Sequence, residues 1–458
     1  MKYKRSDNSV YSGASPSEVA KDLKSFVDFQ ELSIGRKKLE ELIREKLIPH
    51  LMHYDLSGFQ SMFNAFPEEG ARLGAEVALK YNQGVTNWQV SPGGAMLEEL
   101  CVKSLCKLFG LNKKADATFM YCGTYANQQA LYLALHKKAE QEGFDFTKKG
   151  IKGFKNPEKL KVICTKEAHF SIKHAVRILG LGEESLLFID VDRNRRMNIN
   201  SLQKVVSNTA NQFDIFCVMA TTGTTSTGSV DPVFEIANIC SGKNIWLHVD
   251  GAYGLAYSLV PEWKPLFKGI DIADSISWDP HKQLGIPIPN SVLFVKNSDD
   301  FLRVALHSAY FNRETDTEPN PGVKSPPSTR PFSALPLVCS LRFQGMKKVI
   351  ERLRVPLEAI KSAAEFIKNE DEMELIHQPD TGILCFRIIP DFIHKNDLDK
   401  LQKFLFDEIM KRGERSIAIS EIDNNMVLRI VAISPSVTFD AIKNTFSDLF
   451  LLAKKFNV

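Results

Sequence analysis

The segments Trp246-Leu247-His248-Val249-Asp250-Gly251-Ala252-Tyr253-Gly254 and Ser277-Trp278-Asp279-Pro280-His281-Lys282 decide how this chain folds. The apolar runs Ile245 to Val249 and Ile272 to Trp278 each have the length and composition of a buried strand, and each leads into an ionisable group. A buried carboxylate without a cation is costly, so Asp250 calls for a positive partner. A structural arginine could serve, and the common fate of a lysine is the surface. Lys282, just past the next strand and preceded by His281, makes a cationic ring bound through that lysine the more economical partner.

Working outward, the same alternation continues. Further strands are expected at Ala117 to Tyr121, Leu160 to Thr165, Ser185 to Val191, Phe213 to Ala220 and Ser291 to Val295. Between them lie helical stretches. Leu97, Leu100, Cys101, Leu105 and Leu108 recur at helical spacing up to Gly110, and a helix is expected over Tyr125 to Gln141. This is the pattern of an α/β domain with a mainly parallel sheet, whose function collects at the carboxyl ends of the strands. Gly143 to Lys159, rich in Lys, Gly and Phe, is expected to be a solvated surface insertion. Ser308 to Pro331 carries five prolines and is expected to be a long loop. A helix follows over Ala334 to Asn369, with a bend expected at Pro356. Strands at Gly382 to Ile389, Ser416 to Ile422 and Met426 to Ile433 then alternate with helices at Leu398 to Lys411 and Phe439 to Lys455, a small α+β unit. The expected division is an N-terminal segment 1–70, a large domain 71–340 and a small C-terminal domain 341–458.

The 458 residues hold 58 Lys and Arg against 55 Asp and Glu, a net +3, too weak a field to argue for nucleic acid or an anionic membrane as partner. The eight cysteines sit mostly in apolar runs and never as C-x-x-C, which favours buried free thiols and a reducing compartment. Met1 to Gly13 is polar, and no apolar run approaches the length of a membrane span; the expected location is cytoplasmic. No metal site is expected.

A carboxylate ending one strand and a lysine just past the next suit pyridoxal phosphate. The lysine forms a Schiff base with the aldehyde, and the aspartate keeps the pyridine nitrogen protonated so that the ring accepts electrons from the substrate α-carbon. The turn Gly123-Thr124 could hold a phosphate at a helix N-terminus, although taken alone it reads as an ordinary strand-to-helix junction. His169 could stack on a cofactor ring, or be a cap or surface residue. The hydroxyl-rich run Thr221 to Gly228 could donate hydrogen bonds, or be a polar loop.

The ordered set Ser91-Pro92 with Glu98, Gly123-Thr124-Tyr125-Ala126-Asn127, Ala168-His169-Phe170-Ser171, Gly223-Thr224-Thr225, Asp231-Pro232, His248-Val249-Asp250 and Asp279-Pro280-His281-Lys282 resembles the group II pyridoxal-phosphate-dependent amino-acid decarboxylases, among them the glutamate and aromatic amino-acid decarboxylases. The resemblance implies a fold-type-I, aspartate-aminotransferase-like protein: a homodimer with its active sites at the subunit interface, converting an L-amino acid to its amine and carbon dioxide. It assigns the Schiff base to Lys282, the pyridine nitrogen to Asp250, and the two ring faces to His169 and Ala252. Gly123, Thr124 and His281 would hold the phosphate, with Thr225 beside the ring. Arg429 would receive the substrate α-carboxylate, Tyr310 would deliver a proton to the α-carbon, and Trp88 would line the side-chain pocket. Taken without the resemblance, Arg429 is equally a surface arginine on an alternating strand.

Three departures stand out. The family's two glycines before the phosphate-binding hydroxyl are Cys122-Gly123, its Asp-Ala-Ala is Asp250-Gly251-Ala252, and its His-Pro before paired phenylalanines is Ser57-Gly58. The third lies in a segment that shapes the substrate pocket, and the sequence does not choose among acidic, aromatic and basic side chains. An aldehyde synthase, a carbon-carbon lyase and a non-catalytic scaffold are the alternatives. Tyr310 argues for simple decarboxylation, and the joint presence of Lys282, Asp250, His169 and Arg429 argues against a scaffold.

Overall fold

A computed structural model describes residues 9–27, 29, 33–208, 212–307, 312–315 and 317–456. The chain forms two compact units: a large one, Pro67–Arg354 with Pro379–Thr381, and a small one, Met1–Phe66, Val355–Gln378 and Gly382–Val458.

The large unit is built on seven strands: β1 (Asp116–Met120), β2 (Leu160–Thr165), β3 (Leu186–Ile189), β4 (Asp214–Thr221), β5 (Trp246–Asp250), β6 (Ser275–Trp278) and β7 (Ser291–Val295). Their order is β1-β7-β6-β5-β4-β2-β3. β7 runs antiparallel to both its neighbours, and the other pairings are parallel. β5, β6 and β7 are buried along their whole length, as expected of central strands in a sheet covered on both faces. The helix Gly123–Gln141 presents Ala126, Ala130, Leu133 and Ala134 to a core shared with Val162, Cys217, Met219 and Leu293. Three small residues on that face let the helix lie close to the sheet.

Register positions the functional rim. Thr221 pairs with Asp250, and Asp250 with Ser277. The carboxyl ends of β4, β5 and β6 therefore fall at one level, and the loops that follow them leave the sheet side by side.

β6 is shorter than the apolar run Ile272 to Trp278 suggests. Gly269, at φ +96°, leads into a single 3₁₀ turn over Ile270–Ile272 before the strand begins. The Gly143 to Lys159 insertion is less solvated than expected, because Phe146 and Phe154 enter the core of the large unit. The helix Ala334–Lys368 leaves helical angles at Gly345 (φ +71°), whereas Pro356, the expected bend, stays inside the helical run. Glycine reaches that left-handed conformation without steric penalty.

The small unit holds β8 (Met373–Leu375), β9 (Ile383–Ile388), β10 (Ala418–Ile422) and β11 (Asn425–Val431), an antiparallel sheet in the order β10-β11-β9-β8. Asp423 and Asn424 both take positive φ (+49° and +63°), the two-residue turn that matches hairpin twist. The helices Leu398–Arg412 and Phe439–Ala453 cover this sheet through Leu401, Leu405, Phe446 and Leu449. Among the described residues no helix is long and apolar enough to cross a membrane. Six of the eight cysteines are buried.

Candidate active site

Asp250, the last residue of β5, is 5% exposed and accepts three hydrogen bonds. Its Oδ2 accepts from Asn127 Nδ2 at 2.7 Å; its Oδ1 accepts from the Ala252 N–H and from Ser277 Oγ, each at 3.1 Å. Burial alone would raise this carboxyl. The charge of Lys282 and the Asn127 hydrogen bond outweigh burial and hold it below its ordinary range, so the group is an anion.

Asn127 is the hinge of this network. One turn into the helix Gly123–Gln141, it donates to Asp250 and to Ser171 Oγ (2.9 Å), and its Oδ1 lies 3.0 Å from His248 Nε2. The other ring nitrogen of His248 meets Ser275 Oγ at 2.8 Å. Burial pushes the imidazole down to about 4, so at neutral pH it is uncharged and donates through one nitrogen only.

A second carboxylate, Asp279, is 3% exposed and sits between the strand ends. Lys282 Nζ lies 3.2 Å from its Oδ2, His281 Nε2 lies 3.7 Å from the same oxygen, and Ser291 Oγ donates to Oδ1 at 2.6 Å. The Lys282 side chain retains 21% of its surface, enough to be reached. His281 is fixed through Nδ1 to the Asn290 backbone, and burial lowers its proton affinity.

Gly123 closes the cradle. A Cβ built there would lie 3.0 Å from Asp279 Oδ2 and 3.1 Å from the Ala252 Cβ, and the helix it opens has no side-chain cap on its first N–H groups. Thr124 follows, half-buried. His169, after β2, is half-buried; its Nδ1 accepts from the Ser171 N–H at 3.2 Å, and burial lowers its pKa. His169 also feels the charges of Asp250, Lys282 and Asp279, which places it in the same electrostatic neighbourhood.

Thr225 is half-buried in the loop after β4. That loop needs two close approaches. Gly223 takes φ +101°, and a Cβ on Gly254 would lie 1.8 Å from the Thr222 carbonyl oxygen.

The structure thus gathers Gly123, Ala252, Asp250, Lys282, His281 and His169. Trp88 is 40% exposed, and its backbone N–H donates to the Pro319 carbonyl at 3.1 Å. Arg429 is in the small unit, 7% exposed, with Nη2 3.4 Å from the Ser61 carbonyl and its guanidinium 5.8 Å from the Phe63 ring centre. Tyr310 lies outside the described residues.

Sequence reasoning gave no role to Asn127, His248, Ser277 or Asp279, although all four lie within the segments already singled out. The available signal was one of spacing. Asn127 stands four residues after Gly123, on the same face of the helix, and Asp279 three residues before Lys282.

A buried anion at one strand end, a reachable lysine beside it, uncapped helix N–H groups over a glycine, and an imidazole nearby are the donor set for a group carrying a cationic ring nitrogen, an aldehyde and a phosphate. Fold and site together define a pyridoxal-phosphate enzyme of the fold-type-I class. The family model for the pyridoxal-dependent decarboxylase conserved domain matches residues 25–389, and the chain belongs to that family, whose cofactor is pyridoxal 5'-phosphate. Curated relatives include L-2,4-diaminobutyrate decarboxylases. That of Rhizobium meliloti (strain 1021) is 30% identical over 81% of this chain and 72% of its own length, and that of Acinetobacter baumannii is 28% identical over 82% and 75%. Among solved structures, the glutamate decarboxylase domain of the Vibrio parahaemolyticus diaminobutyrate-pyruvate transaminase and L-2,4-diaminobutyrate decarboxylase superposes with a TM-score of 0.87 at 25% identity, covering 98% of this chain and 91% of that one. Mouse CSAD shares the fold, with a TM-score of 0.90 at 24% identity over 98% and 94%. The chain is an amino-acid decarboxylase, a carboxy-lyase.

Proposed function

We propose that this enzyme removes the α-carboxylate of an L-amino acid with Lys282 as the residue that carries the cofactor. The observation behind this is the placement of Lys282 beside two buried aspartates at the ends of adjacent strands, with Asp250 held as an anion by donors on three sides. The chemistry supplied by bound pyridoxal phosphate is an electron sink for the bond broken at the substrate α-carbon.

The residues of this chain do the rest. Asp250 keeps a positive ring nitrogen in place, and its ionised state costs nothing further at the moment of reaction because the hydrogen bonds to it are already made. Gly123, Thr124 and His281 would hold the phosphate, the first through room for close approach and the second through its hydroxyl. His169 and Ala252 would enclose the ring, with Thr225 at its edge. Arg429 grips the substrate carboxylate through a guanidinium fork, Trp88 contacts the substrate side chain, and Tyr310 returns a proton to the α-carbon. Lys282 would hold the cofactor through its aldehyde, and whenever that amine is free Asp279, at 3.2 Å, would steady the ammonium.

The assembly we propose is a homodimer completing its active sites at the interface, in the cytoplasm. Eight cysteines with no C-x-x-C pair, six of them buried, support a reducing compartment. The three-part division at residues 70 and 340 remains our proposal for the domains. Carbon dioxide release from a panel of acidic, aromatic and basic L-amino acids, L-2,4-diaminobutyrate included, tests the function. Release from one class that disappears in Lys282→Ala is the expected result; Lys282-dependent cofactor absorbance with no release from any of them would overturn decarboxylation.

A further inference from the structure

The turn that follows β3 carries two consecutive arginines that the catalytic scheme does not use. It is closed by four hydrogen bonds: Arg195 N–H to the Asp192 carbonyl (2.9 Å), Asp192 N–H to the Arg196 carbonyl (2.8 Å), and the N–H groups of Asn194 and Arg196 to Asp192 Oδ1 (2.8 and 3.0 Å). Arg195 takes φ +64°, uncommon for a residue with a side chain. A turn this fully tied is a fixed base for the side chains it carries.

The two arginines reach different loops. Arg195 places Nε and Nη2 on Glu167 Oε1 at 3.2 and 2.8 Å, with side chains only 15% and 10% exposed. Glu167 precedes His169 by two residues. Arg196 makes a fork with Asp380, Nε to Oδ2 at 2.8 Å and Nη2 to Oδ1.

Asp380 in turn holds the hydroxyl-rich loop. Its Oδ2 accepts from the Val230 N–H at 2.9 Å, and the hydroxyl of neighbouring Thr381 donates to the Gly228 carbonyl at 2.7 Å. Ser229 Oγ ties the loop back to the arginine turn through the Asn194 carbonyl (3.0 Å). Three of the loop's hydroxyls form a chain: Thr224 Oγ1 meets Thr227 Oγ1 at 2.6 Å, and Thr227 Oγ1 meets Ser229 Oγ at 3.0 Å. Inside this frame the position of Thr225 follows from the pins at Gly228, Ser229 and Val230.

We propose that Arg195 and Arg196 form a bracket that positions His169 and Thr225, acting through Glu167 and Asp380, so that two loops distant in sequence face the cofactor in one fixed arrangement. They are positioning residues, not catalytic ones. An ordinary surface ion pair contributes little, but these pairs are largely covered, and the Arg196 pair is bidentate, the geometry in which a guanidinium fixes direction as well as charge. The bracket rests on the assignment of His169 and Thr225 to pyridoxal phosphate, and its test separates the two.

Purified apoenzyme is titrated with pyridoxal phosphate and followed by absorbance and by visible circular dichroism, which reports the asymmetry of the cofactor's surroundings. Arg195→Lys and Arg196→Lys keep the charge and lose the fork; Asp380→Asn removes the shared carboxylate. Each should raise the half-saturating cofactor concentration at least tenfold and reduce the visible dichroism per bound cofactor, with the apoenzyme's denaturation midpoint nearly unchanged. Arg196→Lys combined with Asp380→Asn should be no worse than the more severe of the two alone, since both break one link. Cofactor binding within twofold of wild type and full dichroism in all three would overturn the bracket, as would a lowered midpoint alone. A wild-type enzyme whose visible band is unaffected by Lys282→Ala would overturn the cofactor assignment itself. Should Asp380→Asn not accumulate as folded protein, the two lysine variants decide the matter.

Discussion

Replacing Asn127 with alanine removes one amide and strands two buried groups. Asp250 Oδ2 loses its shortest donor, at 2.7 Å, and a hydrogen bond to a charged acceptor is worth about 1.5–3 kcal/mol. His248 Nε2 loses its partner at 3.0 Å, and a buried donor left unsatisfied costs about 1–3 kcal/mol. Ser171 Oγ loses a donor too, but its hydroxyl keeps its own capacity to donate, so this loss adds little. The expected loss is therefore ~3–5 kcal/mol of apoenzyme stability, allowing for partial relaxation. Urea unfolding followed by tryptophan fluorescence reads it directly, since Trp246 and Trp278 sit on β5 and β6 beside the network. Asn127→Asp should be worse than alanine above pH 6, because it sets a second carboxylate against Asp250. A loss below ~1 kcal/mol for Asn127→Ala would refute the account of Asn127 as the group that holds Asp250 and His248 together.

Acid should destabilise the apoenzyme through its buried imidazoles. Burial holds His248 and His136 down to about 4, below the ordinary 6.5, so the unfolded chain binds protons that the folded one does not. Their stabilisation is complete above pH 6.5 and is lost as the pH falls through about 4. His136→Phe, in a pocket already formed by the rings of Tyr132 and Phe146, should make the slope of stability against pH between 6 and 5 shallower by about 1 kcal/mol per unit; an unchanged slope would count against it. Arg330→Met should cost about 3–5 kcal/mol, because it leaves Glu98, 2% exposed, as an uncompensated charge. The double variant Glu98→Gln with Arg330→Met should recover part of that loss in the same unfolding measurement.

The sheet was legible because its strands are short apolar runs ending in polar turns. The β2 and β7 boundaries agree with the apolar runs to the residue. The ends that misled did so for identifiable reasons. At Ile272 the hydrophobic run continues through a 3₁₀ turn, and apolar content cannot distinguish the two. At Gly345 a single glycine overrides a helical pattern, while Pro356, the conventional breaker, is accommodated. Phe146 and Phe154 were hidden among lysines whose charge pointed outward. In the site, Asp250 and Lys282 stood out because a strand end next to a charge is visible in one dimension. Asn127 and Asp279 did not, because their partners are fixed by three-dimensional register: Asn127 meets a carboxylate 123 positions away. The Arg196 to Asp380 link, across 184 positions, left no trace in local pattern.

The matched ends of β4, β5 and β6 act as a ruler for the chemistry. One residue inserted within β5 or β6 moves the strand end by about 3.3 Å and turns every later side chain to the opposite face. Asp250 would then point away from Lys282. An insertion of the same size in the Gly180–Gly182 turn before β3 leaves those three ends aligned. The protein can be lengthened, tagged or recombined at its turns while the spacing between its two key charges stays fixed, and grafts intended to alter substrate choice belong at the loops rather than in the strands.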